Sequence, residues 1–229
     1  MRKIDKSEKL ATAYLKWLQE EQEKPVSERK VYDNSNASKF RFYYDVVMNL
    51  MHCQKGLCAY TEQQLCPKEY LKKENWENGV FKKELIKPKT FNGELDHFDE
   101  SLKEGNGWLW DNFFMIESDT NNRKGKKAID NRLKPDSIDY DPFKMLDYSE
   151  NTHRFVINTD KDLNEEDRKH LQNILDEVLG INFPNLVDKR RVAITRRLKM
   201  LELGIPLNLE EENEFPTAFE FAKNNLNPK

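Results

Sequence analysis

Apolar residues recur at helical spacing over residues 7–24, where Leu10, Tyr14, Trp17 and Leu18 share one face and Pro25 follows a charged tail. That spacing predicts a first amphipathic helix. A broader stripe of Phe40, Tyr43, Tyr44, Val47, Leu50 and Met51 predicts a second helix over 37–54, with Gly56 placed to end it. The pattern then changes. LCAYTEQQLC (57–66) is short and mixed, like a strand or tight turn, and 67–92 is rich in Lys and Glu with little periodicity, like an inserted lobe or long loop. GELDHF (93–98) and WLWDNFFMI (108–116) read as two strands of a hairpin with a long turn. In ESDTNNRKGKKAIDNRL (117–133), Ser118, Asp119 and Thr120 are capping residues ahead of a basic segment of helical character, which Gly125 weakens. The local order is strand, strand, helix.

Beyond residue 160 the pattern is helical again. Asn164 caps a segment that opens with Glu165, Glu166 and Asp167, and Leu171, Ile174, Leu175 and Val178 line one face before Gly180. A last helix over 186–203 stops at Gly204, with Pro206 beyond and Val187, Ile194, Leu198 and Leu201 on one side. The remainder of that helix carries Lys189, Arg190, Arg191, Arg196, Arg197 and Lys199, six cations within eleven residues. They form either a solvated face or a surface for phosphate or an acidic partner. The tail after Leu209 is acidic and then rich in Asn, and reads as peripheral. No internal repeat is visible. The fold class expected is α+β, predominantly helical, in three regions: helical 1–56, a core over 57–135 carrying the insertion, and helical 136–229.

Composition narrows the function classes. Charged residues make up 34% of the 229, yet aromatic residues make up 11% and are spread along the chain, which argues for a folded core. No apolar run approaches the roughly 20 residues of a membrane span, and MRKIDKSEKL has no apolar signal core, so the expectation is a cytoplasmic protein. Cys53, Cys58 and Cys66 are odd in number and have no framework elsewhere, so they read as reduced thiols; with His52 they fit no common zinc spacing. The formal charge of −3 means that any grip on nucleic acid is local or borrowed from a partner.

Four polar residues carry the candidate chemistry. Asp96 and His97 end the first strand, Asn112 lies on the next, and Asn121 opens the segment after it. A hard cation such as Mg²⁺ takes oxygen ligands, which the Asp96 carboxylate and the Asn121 carbonyl supply. An imidazole with an ordinary pKa of about 6.5 accepts a proton from water at neutral pH. An isolated Asp-His pair is more often a surface pair than a catalytic site; here Asn112 follows His97 by fifteen positions and Asn121 follows Asn112 by nine. Asn122 is the competing ligand, although the spacing favours Asn121. His153 and His170 read as structural or exposed, and Trp108 and Trp110 as packing residues.

The run Asp96-His97, Asn112, Asn121 and Lys124-Gly125 resembles the HNH, or ββα-metal, nuclease superfamily. The resemblance implies a ββα-metal core, with His97 as general base, Asp96 and Asn121 as ligands of Mg²⁺ (Mn²⁺ able to substitute), and Asn112 holding the loop that bears the histidine. It also implies phosphate contacts from Arg123 or Lys124, and a 5′-phosphate product. Many relatives carry two CxxC zinc knuckles. Here the matching positions are Cys58, Thr61, Glu117 and Thr120, three of four thiolates are missing, and no structural zinc is expected. MRKI, GLCAYTE, DHF, WDNFF, NRKG and LGIN are similar to the HNH (PtuB) subunits of Septu-type anti-phage systems and their retron-associated relatives. That likeness implies a PtuA-like ATPase partner and a nucleic-acid substrate, DNA ahead of RNA. The alternatives are a non-catalytic nucleic-acid-binding or assembly subunit, or an RNA-cleaving effector.

Overall fold

The structure, a computed structural model, describes residues 1–87, 90–159, 162–207 and 214–226. It is α+β. Helix α1 spans Thr12–Gln22 and α2 spans Tyr43–Cys53. Strands β1 (Trp76–Glu77) and β2 (Val80–Phe81) pair antiparallel, as do β3 (Glu94–His97) and β4 (Phe113–Ile116), with α3 (Ser118–Lys124) following directly. A third antiparallel hairpin joins β5 (Leu146–Ser149) to β6 (Arg154–Ile157). Three helices complete the chain: α4 (Glu165–Asn173), running on as a π turn at Ile174–Val178, α5 (Pro184–Glu202) and α6 (Pro216–Leu226).

All three regions contribute to one hydrophobic core, in which Tyr14, Val46, Phe114, Leu146 and Phe219 belong to a single cluster. At its centre lies β4, whose four residues are all buried, with α2 packed against it. A two-stranded sheet leaves β4 with an outer edge of unpaired backbone groups. Gln54 covers that edge: its Nε2 donates to Met115 O at 2.8 Å while its Oε1 accepts from Met115 N at 2.8 Å. The same glutamine follows the last turn of α2, so helix and sheet are fixed to each other. Gly56 ends that turn at φ +75°, where a Cβ would lie 2.4 Å from Cys66 O, so only glycine fits.

Several expectations need correction. The first helix starts at Thr12 because residues 1–11 form no regular element and are tied to the core instead, with Met1, Ile4 and Lys6 buried and Asn49 of α2 bonding the backbone at Glu8 and Ala11. The second begins at Tyr43, after a separate 3-10 turn at Ala37–Lys39. The 67–92 stretch holds short 3-10 turns and the β1–β2 hairpin, and its residues 88–89 lie outside the described residues. Asn112 sits in the 3-10 turn Trp110–Asn112 that precedes β4, and not on the strand.

The C-terminal third differs most. The tail is not peripheral: Phe215, Ala218, Phe219 and Ala222 are buried, and Glu62 caps α6 by accepting from Thr217 N at 3.0 Å and Thr217 Oγ1 at 2.5 Å. Residues 208–213 and 227–229 of that tail lie outside the described residues. Nor is α5 a uniform basic face. Arg190 is buried, donating to His153 O (2.6 Å) and Ile181 O (2.7 Å), and Arg197 is buried beneath the α6 ring of Phe219. Lys189, Arg191, Arg196 and Lys199 remain exposed.

Candidate functional site

Strand alternation sets the site. Glu94 and Asp96 are two apart on β3 and so share a face, while Asn121 and Lys124 are three apart on α3 and stack one turn above each other. The two pairs meet. Asn121 Nδ2 donates to Glu94 Oε2 at 2.5 Å, and Lys124 Nζ donates to Asp96 Oδ1 at 2.9 Å and to His97 O at 2.7 Å. Asp96 is 4% exposed and Lys124 1%. Burial pushes the Asp96 carboxyl up to about 6, against the pull of the Lys124 ammonium and of the Tyr60 hydroxyl, which donates to Oδ2 at 3.4 Å.

His97 ends β3 and is 2% exposed. Its Nε2 donates to Gly107 O at 2.7 Å, which fixes the neutral tautomer and leaves Nδ1 as the proton acceptor. The Tyr32 ring stands edge-on to the imidazole with centroids 4.4 Å apart, and Phe113 packs at 4.8 Å. This enclosure pulls the His97 pKa down to about 4, so the ring is neutral at pH 7. Gly107 is required where Tyr32 crosses it, since a Cβ there would lie 2.5 Å from Tyr32 Cβ. Asn112 clamps the loop after the histidine: its Oδ1 accepts from Asp99 N at 2.8 Å and its Nδ2 donates to Asp99 O at 2.9 Å.

Asp96, His97 and Asn121 line one cleft of about 550 Å³, together with Glu94, Glu100, Tyr32, Lys103 and Lys126. The two residues expected at phosphate lie elsewhere. Lys124 is buried on Asp96, and Arg123 turns to the far side of α3, donating to Leu179 O at 3.3 Å with its guanidinium 4.2 Å from the Phe183 ring centroid. Lys103 and Lys126 are the cations of the cleft wall. Asn122, the competing ligand, also lines the cleft but is exposed. Glu94 was missed, although its period-two relation to Asp96 was readable; nothing in the sequence signals that Tyr32 would cover His97.

The donor set suits a hard cation. The Asp96 carboxylate and the Asn121 amide oxygen are oxygen donors, the class that Mg²⁺ and Mn²⁺ prefer, and the Glu94 carboxylate stands beside them on Asn121 Nδ2. Among the described residues, no group of three or more His, Cys, Asp or Glu side chains gathers as a metal site. A cation in this cleft therefore depends on the asparagine. Both Asp96 oxygens have a partner, Oδ1 the Lys124 ammonium at 2.9 Å and Oδ2 the Tyr60 hydroxyl at 3.4 Å, so Oδ2 carries the longer and weaker of the two contacts.

Three of the four positions matched to zinc thiolates, Cys58, Thr61 and Glu117, come together beside the N-terminus of α3. Thr61 Oγ1 donates to Glu117 Oε2 at 2.5 Å, Thr61 N donates to Cys58 Sγ at 3.5 Å, and Thr120 is buried. Gln63 donates to the other oxygen of Glu117 and in turn accepts from Lys189 of α5. Burial raises the Cys58 pKa, with the Glu117 charge adding to it, and all three cysteines are buried and free. No family model matches the chain, and no curated protein does. Among the described residues, no helix is long and apolar enough to cross a membrane.

Proposed function

We propose that this protein is a metal-dependent endonuclease of the HNH type that hydrolyses phosphodiester bonds in nucleic acid, DNA ahead of RNA. The observation that carries the reading is the strand–strand–helix unit whose Asp96, His97 and Asn121 share one cleft, with Asn112 bonded to both backbone groups of Asp99. Hairpin, helix and clamp occur in the order that the sequence motif implies.

His97 is the general base. The Gly107 carbonyl holds its Nε2 proton, so Nδ1 takes a proton from the attacking water. Asn112 keeps the 97–99 backbone in one geometry, and Tyr32 packs the imidazole against rotation. Lys103 and Lys126 offer positive charge to phosphate along the cleft wall. Asp96 and Asn121, with Glu94 beside them, would hold Mg²⁺ or Mn²⁺, which when bound supplies charge stabilisation at the phosphate and the departing 3′-oxygen. The resulting product carries a 5′-phosphate.

The resemblance of GLCAYTE, DHF, WDNFF and NRKG to Septu-type subunits supports a nuclease component of an anti-phage complex with a PtuA-like ATPase. The net charge of −3 agrees with a subunit that borrows its grip on nucleic acid. One observation favours a second reading: Lys124 already neutralises Asp96, as it would in a binding or assembly platform that takes no metal. Calorimetric titration with Mg²⁺ separates the two. The nuclease reading expects binding that Asp96→Ala and Asn121→Ala each weaken, and indifference of the wild type to Mg²⁺ sinks it.

A further inference from the structure

An asparagine amide can present either end to a cleft, and only the carbonyl end ligates a cation. Asn121 lies on α3 with its Nδ2 bonded to Glu94 Oε2 at 2.5 Å. A carboxylate has no proton to give, so it selects the NH₂ end of the amide, and the carbonyl end is turned away from Glu94. Two residues along the same strand face, Lys124 makes the parallel contact with Asp96. The strand and helix thus form a ladder of two rungs, each pairing a carboxylate of β3 with a nitrogen donor of α3.

We propose that Glu94 is a positioning residue for Asn121, orienting its amide so that Oδ1 rather than Nδ2 is offered as a metal ligand. This rests on the nuclease reading of the cleft. Without the Glu94 carboxylate nothing at position 94 selects the NH₂ end, so the amide is no longer preoriented to offer Oδ1 and the ligand loses the partner behind it. The role is confined to one contact: Glu94 is only half-buried at the edge of the cleft, and its strand partner Ile116 belongs to the core whatever stands at 94.

The alternative, that Glu94 ligates the cation itself, gives a different pattern in a double-mutant cycle. Mn²⁺ binding is measured by electron paramagnetic resonance of the free ion for wild type, Glu94→Ala, Glu94→Gln, Asn121→Ala and the Glu94→Ala/Asn121→Ala pair, with melting curves to establish folding. Positioning through Asn121 predicts that Glu94→Ala weakens Mn²⁺ binding by about ten- to a hundredfold, as loss of a partner behind a ligand does elsewhere. It predicts that Glu94→Gln, whose amide pairs with either end of the Asn121 side chain and so no longer selects one, falls with Glu94→Ala. In the Asn121→Ala background Glu94→Ala then costs nothing more. Unchanged affinity in Glu94→Ala overturns the proposal, and so does a loss that repeats in full in the Asn121→Ala background. A wild type that takes up no Mn²⁺ removes the nuclease reading and this inference together, whereas wild-type binding with an unaffected Glu94→Ala removes the inference alone.

Discussion

Asn112→Ala is the substitution whose cost can be worked from the contacts alone. The side chain is 4% exposed and makes two hydrogen bonds, both to the backbone of Asp99. Alanine removes both partners and leaves the N–H and the C=O of Asp99 to be hydrated or strained. At roughly 1 kcal/mol net per bond, with a further penalty for groups that stay unsatisfied, the loss comes to about 3 kcal/mol. For a chain of this size that corresponds to a fall in Tm of roughly 6–12 °C. Asn112→Asp is a sharper comparison, because it keeps the acceptor for Asp99 N but sets an oxygen against Asp99 O, and it should melt at or below the alanine variant. The loop links His97 to the 3-10 turn before β4, so cleavage below the new melting point should also fall, on the order of a hundredfold for a base displaced by about 1 Å. Differential scanning fluorimetry and a cleavage time course read both effects. An alanine variant that melts within a degree or two of wild type would refute the clamp.

Three further outcomes follow from neighbouring geometry. In metal-free buffer, His97 has a folded pKa of about 4 and Asp96 of about 6. The first contributes stability that is present above pH 6.5 and lost as pH falls toward 4; the second contributes stability that is present below the ordinary Asp range and lost as pH rises through 6. These slopes oppose each other in wild type, so denaturant unfolding of His97→Asn should expose the Asp96 slope, losing about 3 kcal/mol relative to wild type between pH 4 and 6.5; a difference independent of pH contradicts this. Replacing Thr61, Glu117 and Thr120 together by Cys should create, with Cys58, a tetrahedral thiolate site that takes up Co²⁺ with its characteristic visible absorption, because Cys58, Thr61 and Glu117 already adjoin and Thr120 is buried one helical turn beyond Glu117; no stoichiometric uptake means that the four do not converge. Arg190→Ala should destabilise by about 3 kcal/mol through two orphaned carbonyls while Arg191→Ala stays within about 0.5 kcal/mol, and equal urea midpoints would restore the uniform basic face.

Much of this was written in local pattern. Asn164 caps α4 through Asp167 N, Gly204 follows α5, and the alternation of GELDHF gives β3 its carboxylate face. Some legible signals went unread. WENGVF carries an Asn-Gly turn between β1 and β2, LDYS and RFVI alternate buried and open positions, and Phe215, Ala218, Phe219 and Ala222 recur at helical spacing. Others had no local signal at all. Lys124 and Arg190 look like surface cations, and only tertiary neighbours, a carboxylate in one case and two carbonyls in the other, make their burial tolerable. The placement of residues 1–11 was hidden for the same reason: they are held by Asn49 and by Lys6 on Asp136, contacts distant in sequence. Of the candidate site, Asp96, His97 and Asn121 line one cleft and Asn112 bonds the loop after His97, but the placement of Arg123 and the cover of Tyr32 depend on segments far along the chain.

The central claim is that His97 acts as a base on a phosphodiester held in this cleft. It is tested most directly by incubating end-labelled DNA and RNA with Mg²⁺ and the protein, alone and with the proposed PtuA-like ATPase, comparing wild type with His97→Ala. The account predicts Mg²⁺-dependent products with 5′-phosphate ends, and loss of activity by on the order of a hundred- to ten-thousandfold in the variant. Cleavage by His97→Ala at the wild-type rate would contradict it.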